Sequence, residues 1–289
     1  MCIESSHKAT SCGDRIVTGY PHHQKEEFQA KLGYIDQMMV TCELFNLWVI
    51  EAADKWKDVF PIGTQPSHVI WTKDVTPYKK RKVRILNGAH TATVLAAYLA
   101  GHEIVSDFMK EGLFKNYMNS LLLDEVIPTI ELPRDDLIAF ANAVNDRFEN
   151  PYIAHKLLDI SLNSCSKINA RCVPSLVDYL TLHHRPPKHL IFALAAFIRF
   201  YRGKWEEGKY LGQRENGSKF EIHDDNDLLE FFETVWQSND YAHVAQMVLS
   251  NMDMWSGRDL TKLDGVLDAV ASSLTSIMNH GIRTTMEGL

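Results

Sequence analysis

From about residue 78 to the C-terminus, apolar residues recur at three- and four-residue steps in one segment after another. That spacing gives each segment an apolar stripe on one side of an α-helix, and a series of such stripes is satisfied only by packing helix on helix. Val94, Ala97 and Tyr98 form one stripe, Leu121, Leu122 and Val126 a second, and Leu137, Phe140 and Val144 a third, opened by Pro133 where a missing N–H costs little. Pro174 starts another helix. Pro186 and Pro187 then separate it from the apolar run 190–200, which Gly203 is expected to close. Asp224 and Asp225 offer N-cap oxygens to a helix carrying Leu228, Phe231, Phe232 and Val235. The last helix is predicted from about Leu260, with Leu263, Val266, Leu267, Val270, Leu274 and Ile277 on one face. One interruption stands out: residues 208–222 are polar and hold Asn216-Gly217 between Tyr210-Leu211 and Phe220-Ile222, the pattern of a small hairpin.

The first quarter reads differently. Residues 45–50 and 68–71, the latter just after Pro66 and Ser67, are rich in aromatic and β-branched residues and predict strands, with a turn at Gly19, Tyr20 and Pro21 before them. The expected architecture is mainly α: a short α/β lead-in over residues 1–75 followed by a helical domain over 76–289. With 289 residues, 45% of them hydrophobic, such a domain can bury a sizeable core. No apolar run approaches the roughly 20 residues needed to cross a bilayer, which argues against a membrane partner. The N-terminus lacks the features of a secretory signal, so a cytoplasmic location is expected. Cys2, Cys12, Cys42, Cys165 and Cys172 contain no C-x-x-C pair and predict reduced thiols, with Cys165 and Cys172 serving as packing. A net charge of -7 disfavours nucleic acid as a partner.

Chemistry concentrates after Tyr78, where residues 79–84 form a basic run. Taken alone, the run reads as a solvated helix start, a nuclear signal or a nucleic-acid patch. If residues 79–100 form one helix, however, Lys82, Leu86, Asn87, His90, Val94 and Ala97 share a sector of about 140°. Lys82 then either snorkels its ammonium to water or lies in a cleft where desolvation and the charges of Lys79, Lys80, Arg81 and Arg84 lower its pKa and make it a general base. Asn87 offers an amide donor and His90 an imidazole to a ligand hydroxyl. Gly88 costs about 1 kcal/mol inside a helix, tolerable if a backbone or ligand must come close. The pairs His22-His23 and His183-His184 are adjacent and cannot both face one tetrahedral ion from a helix, so no metal site is predicted.

The string Lys82-Val-Arg-Ile-Leu-Asn87-Gly-Ala-His90 resembles the K-x4-N-x2-H signature of the polyol-specific long-chain dehydrogenases, the family of the mannitol dehydrogenases and uronate reductases. Segments 14–21, 45–51, 86–91, 147–152 and 163–167 carry the likeness in family order, and it is strongest to the uronate reductases. The resemblance implies a helical C-terminal substrate domain of the 6-phosphogluconate-dehydrogenase-like type, preceded by an α/β remnant of a dinucleotide-binding domain. It implies NAD as cofactor and hydride transfer to or from a sugar acid such as tagaturonate or altronate, in hexuronate metabolism. Lys82 is then the acid/base, Asn87 the donor to the developing alkoxide and His90 the group that orients a hydroxyl. Lys167, Arg171 and Arg147 are the cations nearest to family motifs, and a carboxylate substrate needs at least one. Lys167 and Arg171 are favoured, being i,i+4 if helical. Residues 148–151 predict a helix stop, with Asn150 bonding its own backbone. Asp159 stands where polyol members carry a substrate-contacting arginine, which points away from a simple polyol.

No G-x-G-x-x-G occurs in the chain, and residues 1–13 do not resemble the family's sequence ahead of residue 14. A dinucleotide-binding domain needs on the order of 150 to 200 residues. The expectation is a truncated enzyme, inactive alone, whose cofactor-binding residues lie outside the chain. A non-catalytic remnant that keeps the fold, and a related mannonate or mannitol dehydrogenase, are the alternatives.

Overall fold

A computed structural model of the chain describes residues 10–22, 24–60, 62, 68–152 and 154–289, so Cys2, His23, Pro66 and Ser67 lie outside the described residues. The chain divides into two compact units, residues 1–82 and 83–289.

In the first unit β1 (Thr10–Asp14) pairs antiparallel with β4 (Leu47–Glu51), and β4 pairs parallel with β5 (Val69–Thr72). Val49 and Ile50 are the buried pair on β4, as its β-branched run requires. β2 (Val17–Gly19) and β3 (Thr41–Cys42) form a second, two-stranded sheet around α1 (Lys25–Leu32) in sequence order. α2 (Lys55–Val59) joins the parallel strands and α3 (Thr76–Arg81) follows them, with Pro77 in its first turn. Both predicted strands are present, each displaced toward the C-terminus by one or two residues. β1, whose sequence Thr-Ser-Cys-Gly-Asp has no apolar alternation, is unforeseen and exists because β4 offers it a ladder.

The second unit is built on α4 (Gly88–Leu99), which follows a π-helical segment (Lys82–Asn87) and is buried at all twelve positions. A helix apolar on every side must be covered on every side. α5 (Val105–Lys110), α6 (Gly112–Ser120), α7 (Arg134–Phe148), α8 (Leu157–Ser161), α9 (Ser164–Arg171), α10 (Val173–His183) and α11 (Lys188–Phe200) follow it, and α6, α8, α9 and α11 pack directly on α4. A second π segment (Leu121–Val126) and a 3-10 turn (Ile127–Thr129) link α6 to α7. β6 (Gly203–Glu206), β7 (Lys209–Gln213) and β8 (Lys219–Glu221) form an antiparallel sheet, then α12 (Asn226–Val235), α13 (Tyr241–Ser250) and α14 (Val266–Glu287) complete the unit, α14 lying on α11 and α13.

The Asn216-Gly217 hairpin is present between β7 and β8. Four expectations change. Gly203 does not close α11, which ends at Phe200; a Cβ on Gly203 would lie 2.7 Å from the Tyr210 ring and 2.8 Å from the Leu211 carbonyl, so the glycine serves the β6–β7 approach. Neither Asp224 nor Asp225 caps α12 by side chain: the Asp224 carboxylate accepts from the Tyr201 hydroxyl and the Cys165 N–H. The last helix begins at Val266, because Gly265 at φ 68° breaks the path after a single 3-10 turn at Leu260–Lys262. α13 is unforeseen, although Asp240 caps it by accepting from the N–H groups of Ala242 (3.0 Å) and His243 (3.2 Å).

Candidate active site

Residues 79–100 do not form one α-helix: the ladder widens to i→i+5 over Lys82–Asn87 before α4 resumes it. In an α-helix Lys82 and Asn87 would be 140° apart at about 100° per residue. One π turn of about 4.4 residues cuts that to about 50°. Asn87 and His90, three apart where α-helical geometry returns, stay on one face. The π turn therefore narrows the angle between these two positions along the helix.

Lys82 is half-buried, and its Nζ donates to the Gly13 carbonyl. Arg84, expected to depress the Lys82 pKa, turns inward instead: its Nη1 donates to Asp178 Oδ2 (2.6 Å) and Thr129 Oγ1 (3.1 Å), because the π turn puts Arg84, Ile85 and Leu86 on its buried side. Asn87 is half-buried, and its amide has no hydrogen-bond partner among the described residues. A Cβ on Gly88 would meet the Val83 and Arg171 carbonyls at 3.5 and 3.6 Å, ordinary contact, so the α9 backbone does come close but does not demand glycine.

His90 is 8% exposed and its ring stacks on Phe148, centroids 3.8 Å apart and planes within 2°. His155 meets it edge-on at 5.5 Å. Burial first, then His155, Arg171, Arg147 and Lys167, hold the His90 pKa well below the usual histidine value, so the imidazole is neutral at pH 7. Its buried Nε2 has no hydrogen-bond partner. All three nominated cations thus act on one imidazole. Lys167 and Arg171 do share α9 at i,i+4; Lys167 Nζ donates to the Ile160 carbonyl (2.9 Å) and Arg171 Nη1 to Thr91 Oγ1 (3.1 Å). Burial lowers the pKa of both, and Arg171 adds to the effect on Lys167. Neither forms an ion pair among the described residues, while Arg147, on α7, is buried.

The sequence reading missed Phe148 as a ring partner, although it lies inside a quoted segment, and missed Thr91 and His155. His155 carried no periodic signal, since the described residues from 149 to 156 belong to no helix. Burial lowers its pKa, and Asp159, exposed on α8, opposes that shift. Asn150 Oδ1 accepts from the Tyr152 N–H at 3.0 Å, the predicted turn. Cys165 and Cys172 are buried thiols whose pKa values burial pushes up to about 12, consistent with packing. Among the described residues no three His, Cys, Asp or Glu side chains cluster as a metal site, and no helix is long and apolar enough to cross a membrane.

Among the described residues, His90 Nε2 and the Asn87 amide have no hydrogen-bond partner, and Lys167 and Arg171 donate only to a carbonyl and a hydroxyl, although Asp224 acts on Lys167 from nearby. Known proteins carry the same frame. The chain is 38% identical over 280 residues to the altronate oxidoreductase of Pectobacterium carotovorum subsp. carotovorum (strain PC1), covering 95% of this chain and 56% of the relative. It is 37% identical over 281 residues to that of Escherichia coli (strain K12), covering 96% and 56%. It therefore spans about half the length of the curated relatives it matches. Among solved structures, the Pseudomonas fluorescens mannitol 2-dehydrogenase ternary complex with NAD and D-mannitol superposes with a TM-score of 0.78 at 26% identity, over 97% of this chain and 54% of that one. A D-sorbitol dehydrogenase at 20% identity and TM-score 0.75 shares the fold. Residues 74–278 match the mannitol dehydrogenase C-terminal domain, and the chain belongs to that family.

Proposed function

We propose that this chain carries the substrate-binding and proton-transfer half of an NAD-dependent cytoplasmic oxidoreductase that acts on a sugar acid of the tagaturonate and altronate type. The observation that carries this reading is the pairing of Lys167 and Arg171, neither in an ion pair, beside a neutral His90 with a bare Nε2. A carboxylate supplies the charge that α9 lacks, and Arg171 has the fork to take it bidentately. The altronate oxidoreductase relatives favour that substrate class over a neutral polyol.

In this reading Lys82 takes the hydroxyl proton during oxidation and returns it during reduction. Asn87, with its amide uncommitted, donates to the developing alkoxide, where a fixed donor contributes a few kcal/mol. His90 is held rigid by Phe148 and orients a neighbouring hydroxyl. NAD is the hydride carrier, as the NAD complex of the mannitol 2-dehydrogenase suggests for the family. No glycine-rich strand-to-helix turn of the kind that holds a pyrophosphate exists among the described residues, so no part of the hydride step is assigned to them. Residues 1–75 are then α/β sequence belonging to a dinucleotide-binding domain, and 76–289 the helical substrate domain.

The test joins this chain to a family nucleotide-binding domain and follows NADH oxidation with tagaturonate. Lys82→Ala should lower turnover by about 10²- to 10⁴-fold while NADH binding is retained. Undiminished turnover in that variant would remove Lys82 from the mechanism.

A further inference from the structure

A second set of cations, far along the chain from His90, gathers where the C-terminal end of α11 meets the three-stranded sheet and α12. The cavity there encloses about 480 Å³ and is lined by Arg199, Arg202, Lys204 and Lys219 against two carboxylates, Glu206 and Glu233. Both carboxylates are already engaged. Glu206 takes Lys204 at 2.9 Å and Lys219 at 2.5 Å, and Glu233 accepts from the Trp205 N–H at 2.9 Å. What remains uncompensated is the arginine pair.

Arg199 is the informative member. Its Nη2 donates to the Gln213 carbonyl at 3.0 Å, but its Nη1 is buried and has no partner. Leaving a buried charged donor unsatisfied costs more than leaving a neutral one. Burial, then the neighbouring Arg202, pull the Arg199 pKa down to about 10, as expected of a guanidinium facing another with no carboxylate between them. Glu215 opposes the shift from a distance, yet its Oε1 is committed to the Ile282 N–H at 2.5 Å. Arg202 is exposed, but its guanidinium is held 5.3 Å from the centroid of Trp236, whose indole N–H donates to the Ile198 carbonyl. Two guanidiniums are therefore held side by side by elements that do not neutralise them. In a chain of net charge -7, this inverts the local sign.

We propose that this cavity is a binding site for a small oxyanion of the phosphate class, distinct from the sugar-acid site, with the Arg199 and Arg202 guanidiniums as its principal donors. The volume accepts a free phosphate or a phosphoryl group carrying a small sugar. Arginine is the residue type that matches such an oxyanion in forked geometry, and Lys219 adds charge at the rim.

Calorimetric titration of the 289-residue chain with inorganic phosphate, and separately with glucose 6-phosphate, tests the site. Saturable binding with a Kd of about 1 mM or below is expected for at least one of them. The tighter of the two identifies the source as the free ion or a phosphorylated metabolite. Arg202→Gln, at an exposed position that leaves the core intact, and Arg199→Met should each weaken binding about tenfold or more. Arg171→Gln should leave phosphate binding unchanged. The proposal is overturned if neither probe saturates by about 10 mM. It is equally overturned if Arg202→Gln and Arg199→Met bind like the parent, or if Arg171→Gln abolishes binding and so moves the ion to the His90 cluster.

Discussion

Arg84 and Arg171 are guanidiniums of the same helical unit, yet they are held in opposite ways. Arg84 is buried against its own carboxylate, Asp178 at 2.6 Å, with Thr129 filling another donor site. Arg171 is partly buried against a hydroxyl, Thr91, and burial lowers its pKa, opposed only by the Cys172 thiol and by no carboxylate. A cation that brings its own counter-charge closes a fold, whereas one held without a counter-charge keeps its capacity for a ligand. On the proposed reading, this difference assigns the anion to α9 and not to Arg84.

The comparison breaks most easily on stability. Arg84→Met removes the ion pair to Asp178 and the donor to two Thr129 acceptors; because Asp178 is 40% exposed and keeps another interaction, the expected loss is at the lower end for a broken buried pair, about 3 kcal/mol in urea denaturation. A loss below about 1 kcal/mol would show that Arg84 is no more structural than Arg171. Arg171→Gln should do the reverse. Calorimetric affinity for altronate should fall about ten- to a hundredfold, while urea stability changes by less than about 1 kcal/mol.

The smallest effect sharpens the electrostatics around His90. Its folded pKa lies well below the unfolded value of 6.5. The unfolded chain therefore takes up a proton first as pH falls. The stability associated with the neutral ring is fully present above pH 6.5 and is lost as pH drops from there toward the depressed folded value. The slope is at most about 1.4 kcal/mol per pH unit for one group. His155, whose pKa is also lowered, contributes in the same direction. His90→Phe should flatten the pH dependence of the urea midpoint below pH 6.5 without removing it; an unchanged slope would mean that His90 is not the buried neutral group inferred here.

Much of this was legible before any coordinates. The stripes at Val94, Leu137 and Leu274 lie in helices because three- and four-residue spacing has few other solutions. Asn216-Gly217 makes a hairpin because Gly217 takes a positive φ of 87° that few other residues tolerate. The helix start after Asp225 is where it was expected, but its side-chain cap and the helix start at Leu260 were misread for one reason. Local cap and periodicity signals compete with tertiary demands, here the Tyr201 hydroxyl on Asp224 and the glycine turn at Gly265. β6 and α13 escaped notice because short elements gain their stability from neighbours more than from their own pattern.

By itself the sequence determined the helical architecture and the residue types of the candidate site, since apolar period and side-chain chemistry are properties of the chain alone. It also named Lys82, Asn87, His90, Arg147, Lys167 and Arg171. Which of these face one another was decided only in three dimensions. The i→i+5 turn that re-aims Lys82, the inward rotation of Arg84 to Asp178, and the convergence of α4, α7 and α9 on the His90 ring depend on helix phase and long-range packing. No local spacing encodes those, because the charges that set the His90 protonation state come from residues as many as 81 positions away, at Arg171.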